Sequence, residues 1–145
     1  MPSDRFEYLK KIFVQGFPGF CGIEVLHADH CVFETCLNVL DEHRQRDGFV
    51  HAGLIATMAD HTSGFASYTT VSEKFRILTI EFKINYFKPA MGPLILCRSK
   101  VINNGKKIKV AESEIFSVSD GIEQLVSKGM FTQIAIAAED LARQK

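Results

Sequence analysis

A chain of 145 residues, 46% of them apolar and 23% charged, has enough material for one hydrophobic core and not for two, and the same composition excludes a disordered chain. Its 17 basic residues balance 17 acidic ones, so no overall field draws it to nucleic acid or to an anionic membrane surface, and neither is expected as a partner. No apolar run approaches the roughly 20 residues that span a bilayer.

The opening stretch from Met1 to Gln15 scatters Asp4, Glu7 and three basic residues among its apolar ones, which does not read as a signal peptide. Ser3 can cap a first helix in which Phe6, Leu9, Ile12 and Phe13 recur at helical spacing. Gly16-Phe17-Pro18-Gly19 ends it. Gly22 to Leu26 and Cys31 to Val39 predict two strands, with a turn at Ala28-Asp29-His30. The four cysteines, Cys21, Cys31, Cys36 and Cys97, have no C-x-x-C spacing. They read as buried, reduced thiols of a cytoplasmic protein and not as a metal or redox site. Asp41 to Gly48 is a polar loop.

Leu54 to about Thr70 predicts a long helix. At about 100° per residue, Leu54, Ile55, Met58, Ala59, Thr62, Phe65, Ala66 and Thr69 share one broad face, while Ala56, Thr57, Asp60, Ser63, Gly64 and Ser67 form a second face of mostly small residues. Gly64 costs helix stability of about 1 kcal/mol against alanine, so close packing is its physical reason. Asp60 is the helix's lone carboxylate and lies on the small-residue face. Next the period changes to two: Leu78, Ile80, Phe82, Ile84 and Tyr86 alternate with Thr79, Glu81, Lys83 and Asn85, a strand. Three more follow: Leu94 to Ile102, Ile108 to Val118 and Leu125 to Ile136, separated by the hairpin loop Asn103-Asn104-Gly105-Lys106-Lys107 and the turn Ser119-Asp120-Gly121. By hairpin logic the last four strands make an antiparallel meander. The helix must bury its broad face on them, giving one α+β domain over 1–145: an N-terminal helical segment 1–21, a core 22–136 and a tail 137–145.

The chemistry concentrates in Gln45-Arg46-Asp47-Gly48-Phe49-Val50-His51-Ala52-Gly53, which runs into the helix. The first N–H groups of a helix have no intrahelical partner and carry positive dipole character, which suits a carbonyl oxygen becoming an oxyanion. Ala52 and Gly53 are small enough for a substrate to reach those amides, and Gln45 can add an amide donor. Asp60 lies two turns further on, out of reach of that pocket in one chain. Two such helices packed side by side in opposite directions would bring one chain's Asp60 towards the other's N-terminus. His61 points about 100° away from Asp60 and reads as packing. No metal site is expected from His51, Asp60 and His61.

His51-Ala52-Gly53, six residues, then Asp60, resembles the active-site motif of the PaaI-like branch of hotdog-fold acyl-CoA thioesterases. So does Thr79-Ile80-Glu81-Phe82-Lys83-Ile84-Asn85-Tyr86-Phe87-Lys88-Pro89-Ala90, and Gly105-Lys106-Lys107 resembles that family's basic hairpin. The resemblance runs from about Gly22 to Ile136. It implies a hotdog fold, a long central helix wrapped by a curved antiparallel sheet. It also implies a homodimer, often doubled to a homotetramer, with its active site at the dimer interface. On that resemblance Asp60 is the catalytic carboxylate, as nucleophile or as the base that activates water. The Ala52 amide holds the thioester carbonyl, Gln45 and Thr79 place water or substrate, His51 shapes the loop, and Gly53, Lys106 and Lys107 meet the substrate, the lysines at the coenzyme A phosphates. The family more often has His-Gly-Gly where this chain has His-Ala-Gly. No cofactor is implied beyond the coenzyme A of the substrate. Two rival readings stand beside this one: a hydratase or dehydratase pairing His51 with Asp60 across the interface, and an acyl-CoA-binding module without turnover.

Overall fold

The structure, a computed structural model, describes residues 3–145. Its first helix, α1 (Ser3–Phe13), buries Leu9 and Phe13. Pro18 lies in the first turn of a four-residue helix, α2 (Phe17–Phe20), where the sequence predicts only a helix stop; proline's fixed φ suits a helix start as well as a helix end. Then come β1 (Ile23–Asp29), β2 (Val32–Asn38), the long helix α3 (Ala52–Tyr68), β3 (Phe75–Tyr86), β4 (Leu94–Asn104), β5 (Ile108–Ser119), β6 (Ile122–Ala137) and a short α4 (Ala138–Ala142). The β1–β2 turn sits at His30 and Cys31, later than expected, with Cys31 at φ 66°.

The six strands form one antiparallel sheet in the order β1-β2-β4-β5-β6-β3. The helix α3 lies on one face of it. Met58, Ala59, Phe65 and Ala66 of α3 bury against Phe33, Ile95, Ile115, Val126 and Phe131 of the strands. Phe13 of α1 closes one end, stacked on Phe33 at 5.4 Å and edge-on to Phe65 at 5.0 Å. This is the α+β arrangement expected, a long helix on an antiparallel sheet.

The meander is confined to β4, β5 and β6. β3 does not pair with β4, its neighbour in sequence; it pairs with β6 from Phe75 opposite Ala137 to Tyr86 opposite Ser127 and forms one edge of the sheet. Its alternation also misleads. Ile80 sits in a bulge between Thr79 and Glu81, and Leu78, Ile80, Phe82 and Tyr86 are exposed, while Ile77 is buried. A bulge shifts the side-chain phase by one, and an edge strand has a neighbour on one side only.

Candidate active site

The loop before α3 is tied into a fixed shape by its backbone. Arg44 bridges to Val50. The Gln45 N–H donates to the Phe49 carbonyl at 2.7 Å and the Gly48 N–H to the Gln45 carbonyl at 3.0 Å. Gly48 is at φ 91°, a conformation glycine adopts without cost. The Gln45 side-chain oxygen accepts the Asp47 N–H, which leaves its NH2 group free to donate.

His51 is the N-cap of α3. Its Nδ1 accepts the Gly53 N–H at 2.8 Å, and its carbonyl accepts the Leu54 and Ile55 N–H groups at 3.0 and 3.2 Å. The Gly53 amide is therefore occupied, and a Cβ there would meet His51 Nδ1 at 3.0 Å. Gly53 serves the cap. The Ala52 N–H is the first-turn amide with no protein acceptor among the described residues. Tyr86, at the end of β3, donates its hydroxyl to the Ala52 carbonyl at 2.8 Å and so fixes the peptide turn that presents this amide. In the sequence Tyr86 is an apolar step of a strand and part of the family-like stretch Thr79 to Ala90, with no role of its own marked by the spacing. Gln45, Ala52 and Tyr86 line a common cleft of about 270 Å³.

Asp60 is half-buried on the small-residue stripe of α3. Thr79 Oγ1 donates to Asp60 Oδ1 at 2.7 Å. The bulge at Ile80 lies directly beside Thr79, the kind of irregularity that re-aims a side chain at a site. One carboxylate oxygen is thus held, and the other has no hydrogen-bond donor among the described residues. A second cleft, of about 320 Å³, opens here between Asp60, Gly64, Phe65, Tyr68, Leu78 and Thr79. It is separate from the Ala52 cleft: eight residues of helix at 1.5 Å each put Asp60 about 12 Å along α3 from Ala52. The structure brings Asp60 to Thr79, and Gln45 to Ala52, but not the two pairs to each other within one chain.

His61 also lines the Asp60 cleft, but its ring is turned to α1 and not to the Asp60 carboxylate. It hydrogen-bonds the Phe13 carbonyl through Nε2 at 2.9 Å and packs on the Phe13 and Phe65 rings. Burial pushes its pKa below the usual histidine value, opposed by the Phe13 carbonyl and the Asp60 charge. Lys106 and Lys107 are exposed on the β4–β5 hairpin. Lys109, Gln133 and Thr79 share one row across β5, β6 and β3, so Lys107 lies two residues and two strands from Thr79, about 12 Å by strand geometry.

Beneath the Asp60 turn, α3 meets the sheet through hydrogen bonds. Gln133 Nε2 donates to Ser63 Oγ at 2.9 Å, Ser67 Oγ donates to Gln133 Oε1 at 2.5 Å, and Ser63 Oγ donates to the Asp60 carbonyl at 2.8 Å. Ser113 Oγ donates to the Ala59 carbonyl at 2.8 Å. Sequence reading passed over Gln133, although a glutamine between Phe131 and Ala135 on the inward phase of a strand is itself a signal.

The profile of the thioesterase superfamily matches residues 47–123, a stretch that holds the His51–Asp60 motif and Thr79. The chain belongs to the thioesterase superfamily. A relative from Halobacterium salinarum that carries an esterase name is 31% identical over 83 residues, 56% of this chain and 54% of the relative, so the matched region spans about half of that protein. Among solved structures, a thioesterase family protein from Silicibacter pomeroyi superposes with a TM-score of 0.88 at 25% identity, covering 92% of this chain and 99% of its own. A Streptococcus mutans protein bound to acetyl CoA superposes at 0.70 with 25% identity, covering 79% and 89%. The thioesterase fold is the hotdog arrangement, with α3 as its central helix. Among the described residues of this superfamily member, no helix is long and apolar enough to cross a membrane.

Proposed function

We propose that this chain is an acyl-CoA thioesterase of the PaaI-like branch whose active site is built by two copies. The observation that carries the reading is the division of labour along α3: a carboxylate anchored by Thr79 at 2.7 Å, and one unpartnered amide, at Ala52, about 12 Å away along the same helix. Neither half is a catalyst alone. Ala56 is midway between them. A two-fold axis beside Ala56 would pack two α3 helices antiparallel and set each Asp60 against the partner subunit's Ala52. Ala56, Thr57, Gly64 and Gly53 keep that stripe small enough for close approach. The same axis would cross β3 near Phe82 and Lys83, midway between Thr79 and Tyr86, and pair the two exposed edge strands into one continuous sheet. A tetramer would be a pair of such dimers.

In the joined site the Ala52 N–H, at the positive end of α3, donates to the thioester carbonyl oxygen and stabilises the oxyanion as it forms. The Gln45 NH2 orients the carbonyl or the water from the same side. Asp60 either attacks the carbonyl carbon, forming a mixed anhydride that water then hydrolyses to the free acid and the restored carboxylate, or takes a proton from the water that attacks the carbonyl, with Thr79 holding its other oxygen. The C–S bond breaks, and coenzyme A leaves as a thiolate that takes up a proton. Lys106 and Lys107 meet the coenzyme A phosphates from the tip of the β4–β5 hairpin. His51 Nδ1 is committed to the Gly53 N–H, which speaks against a hydratase that needs this imidazole as its proton carrier. The acetyl-CoA-bound Streptococcus mutans neighbour supports the ligand class, and the four free cysteines suit a reducing, cytoplasmic setting.

The test is free-thiol release from short, medium, long and aromatic acyl-CoAs by wild type and Asp60→Asn. Turnover by wild type with a loss of about a hundredfold or more in the variant supports a carboxylate catalyst. A wild type that releases no thiol from any of them ends the hydrolase reading.

A further inference from the structure

A leucine at position 133 would fill the space between Phe131 and Ala135 without any polar group to satisfy. The chain places a glutamine there, 0% exposed, with both ends of its amide engaged on α3. Burying an amide gains little net stability over a well-packed apolar side chain. What it adds is direction, because a hydrogen bond fixes distance and angle where apolar contact fixes neither.

We propose that Gln133 is a positioning residue for the Asp60–Thr79 pair; the inference rests on the reading of Asp60 as the reacting carboxylate. Gln133 stands directly opposite Thr79 in the β3–β6 ladder, so its backbone locates the strand that carries Thr79. Its side chain grips Ser63 and Ser67, one turn apart on α3, and Ser63 passes the grip to the Asp60 carbonyl at 2.8 Å. One residue therefore ties the threonine's strand and the aspartate's turn of helix to a common reference. A Cβ at Gly64 would stand 3.9 Å from Gln133 Nε2, an ordinary contact, so the grip of Gln133 does not depend on the glycine. Catalytic constellations need placement within about 0.5 Å, and a misplacement of about 1 Å can cost about a hundredfold in rate.

Gln133→Met keeps length and volume and removes both hydrogen bonds. Its crystal structure is expected to show the Thr79 Oγ1 to Asp60 Oδ1 separation opened beyond about 3.5 Å, or Asp60 divided between rotamers. Its kcat should fall roughly 10- to 100-fold with KM nearly unchanged, the mark of an interaction that matters in the transition state. Ser63→Ala, which cuts the relay at one link and leaves the core volume intact, should move in the same direction and serves if Gln133→Met fails to fold. In Gln133→Glu a protonated carboxyl can still donate to Ser63 and an ionised one cannot, so its kcat relative to wild type should decline as pH rises. A folded Gln133→Met or Ser63→Ala with the 2.7 Å contact intact and Asp60 in one rotamer overturns the inference, as does a kcat equal to wild type. A wild type inactive on every acyl-CoA would end the thioesterase reading, while the crystallographic distance would still decide the role of Gln133.

Discussion

If each site takes Asp60 from one chain and Gln45 with Ala52 from the other, two inactive variants should repair each other. Asp60→Asn disables the carboxylate of its own chain, and Gln45→Ala disables the amide side of its own chain. The 12 Å between them along α3 is too far for one chain's pair to act on one carbonyl, since reacting groups must come within about 3–3.5 Å. In either homodimer both sites carry one lesion. In a mixed dimer one site carries both lesions and the other carries none. Unfolding the two variants together in urea and refolding them at equal concentration should give about half mixed dimers by random pairing, so about a quarter of all sites are restored. With each lesion costing about a hundredfold, the refolded mixture should show roughly a quarter of the wild-type kcat, more than ten times either parent. Thiol release followed optically reads this directly. Activity equal to the mean of the two parents, in a mixture that size exclusion shows to be dimeric, would refute the shared site.

Thr79→Val removes the hydroxyl that holds Asp60 Oδ1 at 2.7 Å while keeping the shape of the side chain. A hydrogen bond to a charged group is worth about 1.5–3 kcal/mol, and this pair is solvent-accessible, so the lower end applies: kcat should fall about tenfold with KM little changed. Ala56→Phe places a ring where the proposed dimer brings two helices together; light scattering should report monomers, circular dichroism a retained fold, and the thiol assay a loss as large as that of Asp60→Asn. His61 is half-buried, and its pKa is pushed down by burial, opposed by the Phe13 carbonyl and the Asp60 charge. The unfolded chain therefore binds a proton that the folded chain refuses. Stability should be full above the ordinary histidine value near pH 6.5 and fall as pH drops below it. Urea midpoints from pH 7 down to pH 5 should show that slope, and His61→Phe should flatten it.

The legible parts of this molecule are the local ones. A cap, a glycine and a stripe of small residues lie within about twenty positions of one another, so the helix and its two faces could be read from spacing. Asp60 could be singled out as the lone carboxylate on its stripe. The β3–β6 pairing was not legible, because hairpin logic favours neighbours and the chain instead closes a loop from Phe75 to Ala137. The bulge at Ile80 inverted the meaning of a clean alternation. Ala52 and Gly53 looked equivalent until the His51 ring took one amide and left the other. Tyr86 and Gln133 act through contacts to residues 34 and 66–70 positions away, and no local pattern carries that information.

The late closing of β3 has a cost in time. On the ribosome Phe75 is made 62 residues before its ladder partner Ala137, about 3 to 12 s at ordinary synthesis rates. Throughout that interval β3 lacks β6, and Leu78, Ile80, Phe82 and Tyr86 lie on a strand with no hydrogen-bonded neighbour. A nascent chain in a crowded polysome thus carries an adhesive strand whose partners are β6 of the same chain and, in the proposed dimer, β3 of an identical neighbour. The polysome supplies both, so assembly between chains translated side by side would shorten the exposure that makes the strand hazardous.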